Sequence, residues 1–313
     1  MFAERSIRFS LLAIVCAFVA SFVAAQQSPA PNGAPVHTIV TVEARHGAAV
    51  PLINKEDAMV YEGHDRDTVT DWIPLQGDHA ALELFILIDD SSTVSLGSQL
   101  EDIRQFVNSQ PETTKIGIAY MDNGTAQILQ NLTSDHAQAA KTLRLPMGYT
   151  GVNTSPYFAL GDLIKRWPDN NVRHEVIMIT DGVDRFYGSG PDDPYVDSVV
   201  EQAQKSGVIV FGIYTPGIGH FGHSYWSTYW GQIYLAQVAE QSGGEGYYIG
   251  FNGPPVTFVP YLNEIAQRLT HQYLLGFLPK PEKKAGMRRI RLTTEVPNAE
   301  LVAADSVFVP ASQ

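Results

Sequence analysis

Residues 84–88 (LFILI) form an unbroken apolar run that ends at once in acids and hydroxyls, Asp89-Asp90-Ser91-Ser92-Thr93. A short run of this kind, bounded by polar residues, predicts a strand buried on both faces, as in the middle of a parallel sheet. Two further runs share the pattern, at 175–180 (EVIMIT) and 207–214 (GVIVFGIY). Ligand sites of open α/β sheets lie beyond the carboxyl ends of such strands. Extended backbone alternates its side chains, so Asp89, Ser91 and Thr93 are expected to project to one side. One carboxylate and two hydroxyls make a hard oxygen donor set, suited to Mg²⁺, Ca²⁺ or Mn²⁺ rather than zinc.

Around these runs the periods alternate. Helices are expected at 100–107, 137–143, 156–167 (with Pro156 in the first turn), 195–204, 229–241 (stopping at Gly243-Gly244) and 256–270. Strands are expected at 115–121 and 246–251, with a short antiparallel edge strand at 125–132. The alternation predicts an α/β fold over 81–270: a doubly wound, mostly parallel sheet with helices on both faces. Residues 36–80 and 271–313 read as small flanking β segments. Each is too small to bury a core alone, so the two are expected to pair with each other.

The N-terminus reads as a targeting segment. Arg5 and Arg8 precede an apolar run over 11–20, and Val23-Ala24-Ala25 offers a small-residue cleavage site. Residues 1–25 are therefore expected to be a signal peptide, and 26–35 (QQSPAPNGAP) a flexible linker. The run is shorter than the ~20 residues that span a bilayer, so no integral membrane span is expected after cleavage. The one cysteine, Cys16, falls inside this segment, which leaves the mature chain without thiol chemistry. The expected location is secreted or periplasmic, in a bacterium. With 33 acids against 21 bases, nucleic acid is not an expected partner.

Two more segments are expected on the rim that Asp89 occupies. Ile179-Thr180-Asp181-Gly182 ends the second apolar run, and Gly151-Val152-Asn153-Thr154-Ser155-Pro156 leads into a helix. Together, DDSST at 89–93, the Thr154 loop and TDG at 180–182 resemble the metal-ion-dependent adhesion site (MIDAS) of von Willebrand factor type A (VWA) domains, in order and spacing. VYEG at 60–63, AEQSGGEGYYI at 239–249 and QYLLGFLP at 272–279 extend the resemblance to secreted VWA-related proteins of acidobacteria. The resemblance implies a metal set of Asp89, Ser91, Thr93, Thr154 and Asp181. In it the hydroxyls bind a divalent cation, Mg²⁺ first among candidates, and a carboxylate from a partner completes the coordination shell. Thr93 stands where serine is commoner, and Ser92 where glycine is. Thr150 competes with Thr154 for the second loop; Thr154 is preferred because it immediately precedes the Pro-started helix. The bland alternative is that the two acids bond loop amides and Thr154 is only a helix cap.

The connection at 215–228 is long for a link from strand to helix and leaves a strand's carboxyl end. Its Phe221, Tyr225 and Trp226, with Arg185 and Tyr187 from the loop after Asp181, are the expected partner-binding surface, being residue types that dominate interface hot spots. His220 and His223 lack a nearby acid or cysteine and are read as loop residues rather than a second metal site. No GxSxG, HExxH or Walker loop occurs. The expected function is therefore a non-enzymatic binding module for a protein or other ligand bearing acidic groups. A structural scaffold with a vestigial site is the alternative, and a hydrolase using Ser91 or Ser92 with a distant histidine is the less favoured third reading.

Overall fold

The computed structural model describes residues 35–47, 49–148, 154–168, 170, 172–188, 190–217, 224–251 and 253–311. The expected signal peptide, most of the linker, and Thr150, His220, Phe221 and His223 lie outside the described residues.

The elements in chain order are β1 (Val36–Ala44), β2 (Met59–Glu62), β3 (Asp65–Pro74), β4 (Leu82–Asp89), α1 (Leu100–Ser109), β5 (Thr114–Asp122), β6 (Thr125–Thr133), α2 (His136–Lys141), α3 (Pro156–Arg166) and β7 (Arg173–Thr180). There follow α4 (Pro194–Ser206), β8 (Val208–Tyr214), α5 (Tyr225–Gln241), β9 (Gly246–Tyr247), α6 (Val259–Thr270), β10 (Gln272–Leu278), β11 (Gly286–Arg289), β12 (Arg291–Thr293), β13 (Ala299–Ala303) and β14 (Ser306–Val309).

The central sheet has the order β6-β5-β4-β7-β8-β9. All its pairings are parallel except β5 with β6. Every residue of β4 is buried, and its side chains alternate between two cores. Leu84, Ile86 and Ile88 join the core under α1, α2 and α6. Phe85 and Leu87 join the core under α3, α4 and α5. The chain leaves β4 towards β5 on one side and returns to β7 on the other, so the strand order reverses between β4 and β7. That crevice is where doubly wound sheets place their ligands.

The flanking segments are not minor appendages. They form a second six-stranded sheet in the order β12-β2-β3-β10-β1-β13, antiparallel throughout, and β11 and β14 form a separate ribbon. Residues from both ends of the chain interleave: β1 lies between β10 and β13, with Val36 opposite Phe277 and Ala44 opposite Ala299. This sheet has its own apolar cluster around Val40, Val60, Leu275 and Phe277. Residues 33–313 make one compact unit.

Two local expectations differ from the structure. Helix α5 begins at Tyr225, earlier than the periodicity indicated, because the Ser224 hydroxyl accepts from the Ser227 amide (3.0 Å) and caps it. Tyr225 and Trp226 therefore sit on a helix, not in a loop. The strand expected at 246–251 stops at Tyr247, because Tyr248 takes a left-handed conformation (φ 61°) that breaks the ladder.

Candidate functional site

Asp89 is the last residue of β4 and is buried. Beyond it the chain turns instead of staying extended, so strand alternation is not what gathers the side chains. The Ser92 amide donates to the Asp89 carbonyl (3.0 Å), and the Ser91 amide donates to Asp89 Oδ1 (2.9 Å). This turn brings the Ser91 hydroxyl onto the same Oδ1 at 2.6 Å. Because that hydroxyl gives its proton to the acid, its lone pairs remain for another ligand. The Ser92 hydroxyl is buried with no hydrogen-bond partner among the described residues. Thr93 is half-buried, and its hydroxyl pairs with Ser95.

Thr180, the last residue of β7, donates its hydroxyl to Asp89 Oδ2 at 2.7 Å and accepts the Gly182 amide at 3.1 Å. One buried side chain thus joins the first and third loops. Asp181 follows: its Oδ1 accepts the Val183 amide (2.9 Å), and its Oδ2 accepts Arg185 Nη2 (2.5 Å). Both side chains of that ion pair are only 4% exposed. Burial pushes the Asp181 carboxyl above the ordinary aspartate value; Arg185 opposes this, and the charge of nearby Asp89 adds to it. For Arg185, burial favours loss of the proton, but the charges of Asp181 and Asp89 outweigh it and hold the guanidinium protonated.

The second loop is laced to the third. Thr154 is buried, and its carbonyl accepts the Arg185 amide (3.0 Å). Ser155, not Thr154, caps α3 by accepting the Phe158 amide; its hydroxyl also donates to Asp184 Oδ2 (2.8 Å). Asp184 Oδ1 accepts the Phe186 and Tyr187 amides (2.8 and 2.9 Å) and so shapes the turn that carries Arg185. Helix α5 closes on the rim because glycines face each other: a Cβ on Gly182 would lie 2.0 Å from the Gly231 carbonyl oxygen.

Asp89, Ser91, Thr154 and Asp181 therefore share one edge of the central sheet, with Thr93 beside them. Of the surface residues, Tyr187, Tyr225 and Trp226 are exposed (51%, 69% and 64%), and Arg185 is buried against Asp181. Tyr225, Trp226 and Tyr229 stack or abut in one exposed aromatic group at the start of α5. Two contributors escaped the sequence reading. Thr180 showed only as the first residue of TDG, with no role of its own. Asp90 turns the other way, forming a two-pronged bond with Arg144 (2.7 Å on each oxygen) and accepting the Met147 amide (2.8 Å), which fixes the approach to the Thr154 loop.

Among the described residues no three His, Cys, Asp or Glu side chains gather as a metal cluster. The donors here are two carboxylates with hydroxyls. The oxygen-only chemistry, the proton-donating Ser91 and the partnerless Ser92 hydroxyl fit a hard divalent cation, although one oxygen of Asp181 is held by an internal cation.

The strand order has a single antiparallel edge at β6, and the Asp-x-Ser-x-Thr, Thr154 and Thr-Asp-Gly segments lie on one rim. This is the arrangement that the resemblance to VWA domains implies. No family model matches the chain, and no curated protein does. Solved structures similar to it include an aerotolerance-related membrane protein of Bacteroides fragilis NCTC 9343, at 16% identity and a TM-score of 0.45, covering 60% of this chain and 98% of that one. BatB of Bacteroides thetaiotaomicron is similar at 17% identity and a TM-score of 0.43, covering 61% and 98%. The manganese-loaded TRAP protein of Plasmodium vivax is similar at 13% identity and a TM-score of 0.40, covering 72% and 94%. These likenesses concern the fold. Among the described residues no helix is long and apolar enough to cross a membrane.

Proposed function

We propose that this chain is a VWA-type, exported binding module that recognises a carboxylate-bearing partner through a divalent cation, Mg²⁺ first among candidates. The observation that carries the reading is the Ser91–Asp89–Thr180 chain of hydrogen bonds, which fixes a buried hydroxyl, its proton given to Asp89, at the carboxyl ends of β4 and β7. In this reading Ser91, Thr93 and Thr154 hold the ion, and Asp89 and Asp181 supply negative charge behind them. The bound cation would act as a Lewis acid that accepts an oxygen from the partner. The partner's remaining contacts would fall on Tyr187, Tyr225 and Trp226, which stand exposed near the rim; Phe221 belongs to the same proposed surface.

Catalysis is not part of the proposal. The Ser91 hydroxyl donates to a carboxylate that also receives the Ser91 amide and Thr180, an arrangement that orients the hydroxyl rather than activating a nucleophile. The test is calorimetric titration of the purified protein with Mg²⁺, Mn²⁺ and Ca²⁺, repeated on Ser91→Ala. Heat that is lost in the variant supports the reading, and identical heats refute it. The scaffold alternative is favoured by one observation, the Arg185–Asp181 pair, which leaves the rim with its own positive charge.

A further inference from the structure

We infer that Arg185 is a resident countercharge that competes with the divalent cation for Asp181 and so sets the affinity of the site. The inference rests on the cation-binding reading above and concerns how that site is tuned. Asp181 has two oxygens, and both are engaged: Oδ1 by a backbone amide of its own turn, Oδ2 by the guanidinium. Only the second bond is made by another side chain. A charge-assisted bond between two buried partners is among the stronger single interactions in a protein, so it biases the carboxylate against any other cation.

The pair is also roofed. A Cβ on Gly217 would lie 2.0 Å from Asp181 Oδ2 and 2.7 Å from Arg185 Nη2, so only a glycine backbone fits over it. Gly217 forms an isolated bridge with Ser92, and the Pro216 carbonyl accepts the Thr93 amide at 3.1 Å. The strap that covers the ion pair is thus fastened to the loop carrying Ser91 and Thr93. From below, the Arg185 amide is tied to the Thr154 carbonyl. Arg185 touches all three loops of the rim, directly or through Gly217. Its Nε has no hydrogen-bond partner among the described residues and its Nη1 reaches the Val183 carbonyl only at 3.5 Å, so the guanidinium is held mainly through Asp181. A group held mainly by one carboxylate is displaced when that carboxylate is recruited elsewhere.

The experiment is calorimetric titration of the purified protein with Mn²⁺ alone, on wild type, Arg185→Gln, Arg185→Lys and Asp181→Asn, each checked for folding by circular dichroism. Removing the charge in Arg185→Gln should tighten Mn²⁺ binding by about ten- to a hundredfold, the equivalent of one charge-assisted hydrogen bond. Arg185→Lys should return most of the weakness. Binding seen only in Arg185→Gln supports the inference in its strongest form. Equal or weaker Mn²⁺ binding in Arg185→Gln, with binding abolished in Asp181→Asn, overturns the role of Arg185 and leaves the cation reading intact. No binding in any of the four proteins overturns both. Should Arg185→Gln fail to fold, the Arg185 Nε–H resonance of the wild type, assigned by its loss in Arg185→Lys, gives the same answer. It should shift on titration with Mg²⁺, and an unmoved signal at saturating Mg²⁺ contradicts the inference.

Discussion

The Thr180 hydroxyl donates to Asp89 Oδ2 at 2.7 Å, so the ends of β4 and β7 are joined by one buried bond at the point where the strand order reverses. The pairing of these strands extends along their whole apolar length, with Leu82 opposite Arg173 and Ile88 opposite Ile179. The Thr180 bond carries that register one step past the sheet into the loops.

Replacing Thr180 with valine keeps the shape and removes the donor. Asp89 Oδ2 then becomes a buried charged acceptor without Thr180, and the Gly182 amide loses its acceptor. The expected cost is about 1–3 kcal/mol of stability, read from urea unfolding. Thr180→Ser should lose much less. Equal losses in the two variants would show that packing of the methyl group, not the hydroxyl, is what matters.

Glu175 lies towards the other end of β7, fully buried between β4 and β8, opposite Leu84 and Ile209. Burial holds its carboxyl up to about 7 from an ordinary 4.5, with Arg173 opposing the rise. Below the ordinary value the folded and unfolded chains are both protonated, and nothing is lost. As pH rises further the unfolded chain releases its proton first, so stability declines until the folded group also ionises near neutrality. The loss attributable to this group is of order 3 kcal/mol. Urea midpoints from about pH 5 to about pH 8 should therefore fall more steeply in wild type than in Glu175→Gln. Parallel profiles would show that Glu175 is not the source. Because this residue is remote from Asp89 and Asp181, the variant should bind Mn²⁺ like wild type.

Trp226 is 64% exposed at the start of α5. Trp226→Ala should change stability by no more than ~0.5 kcal/mol and leave the Mn²⁺ heats unchanged. A loss of several kcal/mol would place the indole in the core instead. Trp230, half-buried and stacked on Tyr234, is the contrasting position on the same helix.

The sheet that positions the site was legible because β4, β7 and β8 are buried on both faces, which forces continuous apolar runs whatever their neighbours are. The meeting of Asp89 and Asp181 followed from the rule that parallel strands share a carboxyl edge, and Thr154 reaches that edge from the start of α3. The local reason for Ser91 was misjudged: a carboxylate-capped turn, not strand alternation, turns its hydroxyl inward. Arg185 read as a surface cation because nothing in a sequence records whether a side chain four residues past an acid folds back onto it. The turn that makes it do so depends on Asp184 bonding Ser155, which is 29 residues away. The antiparallel sheet was legible as β structure at both ends of the chain, but its size and its register, with Val36 opposite Phe277, are set by contacts that no local pattern encodes.

The most direct test of the account is the melting temperature of wild type and Ser91→Ala across Mn²⁺ concentrations into the millimolar range. A ligand of the native state raises stability with the logarithm of its concentration once above its dissociation constant. The account predicts that rise in wild type and its absence in Ser91→Ala. A wild-type melting temperature that stays flat, or one that climbs equally in both proteins, would contradict it.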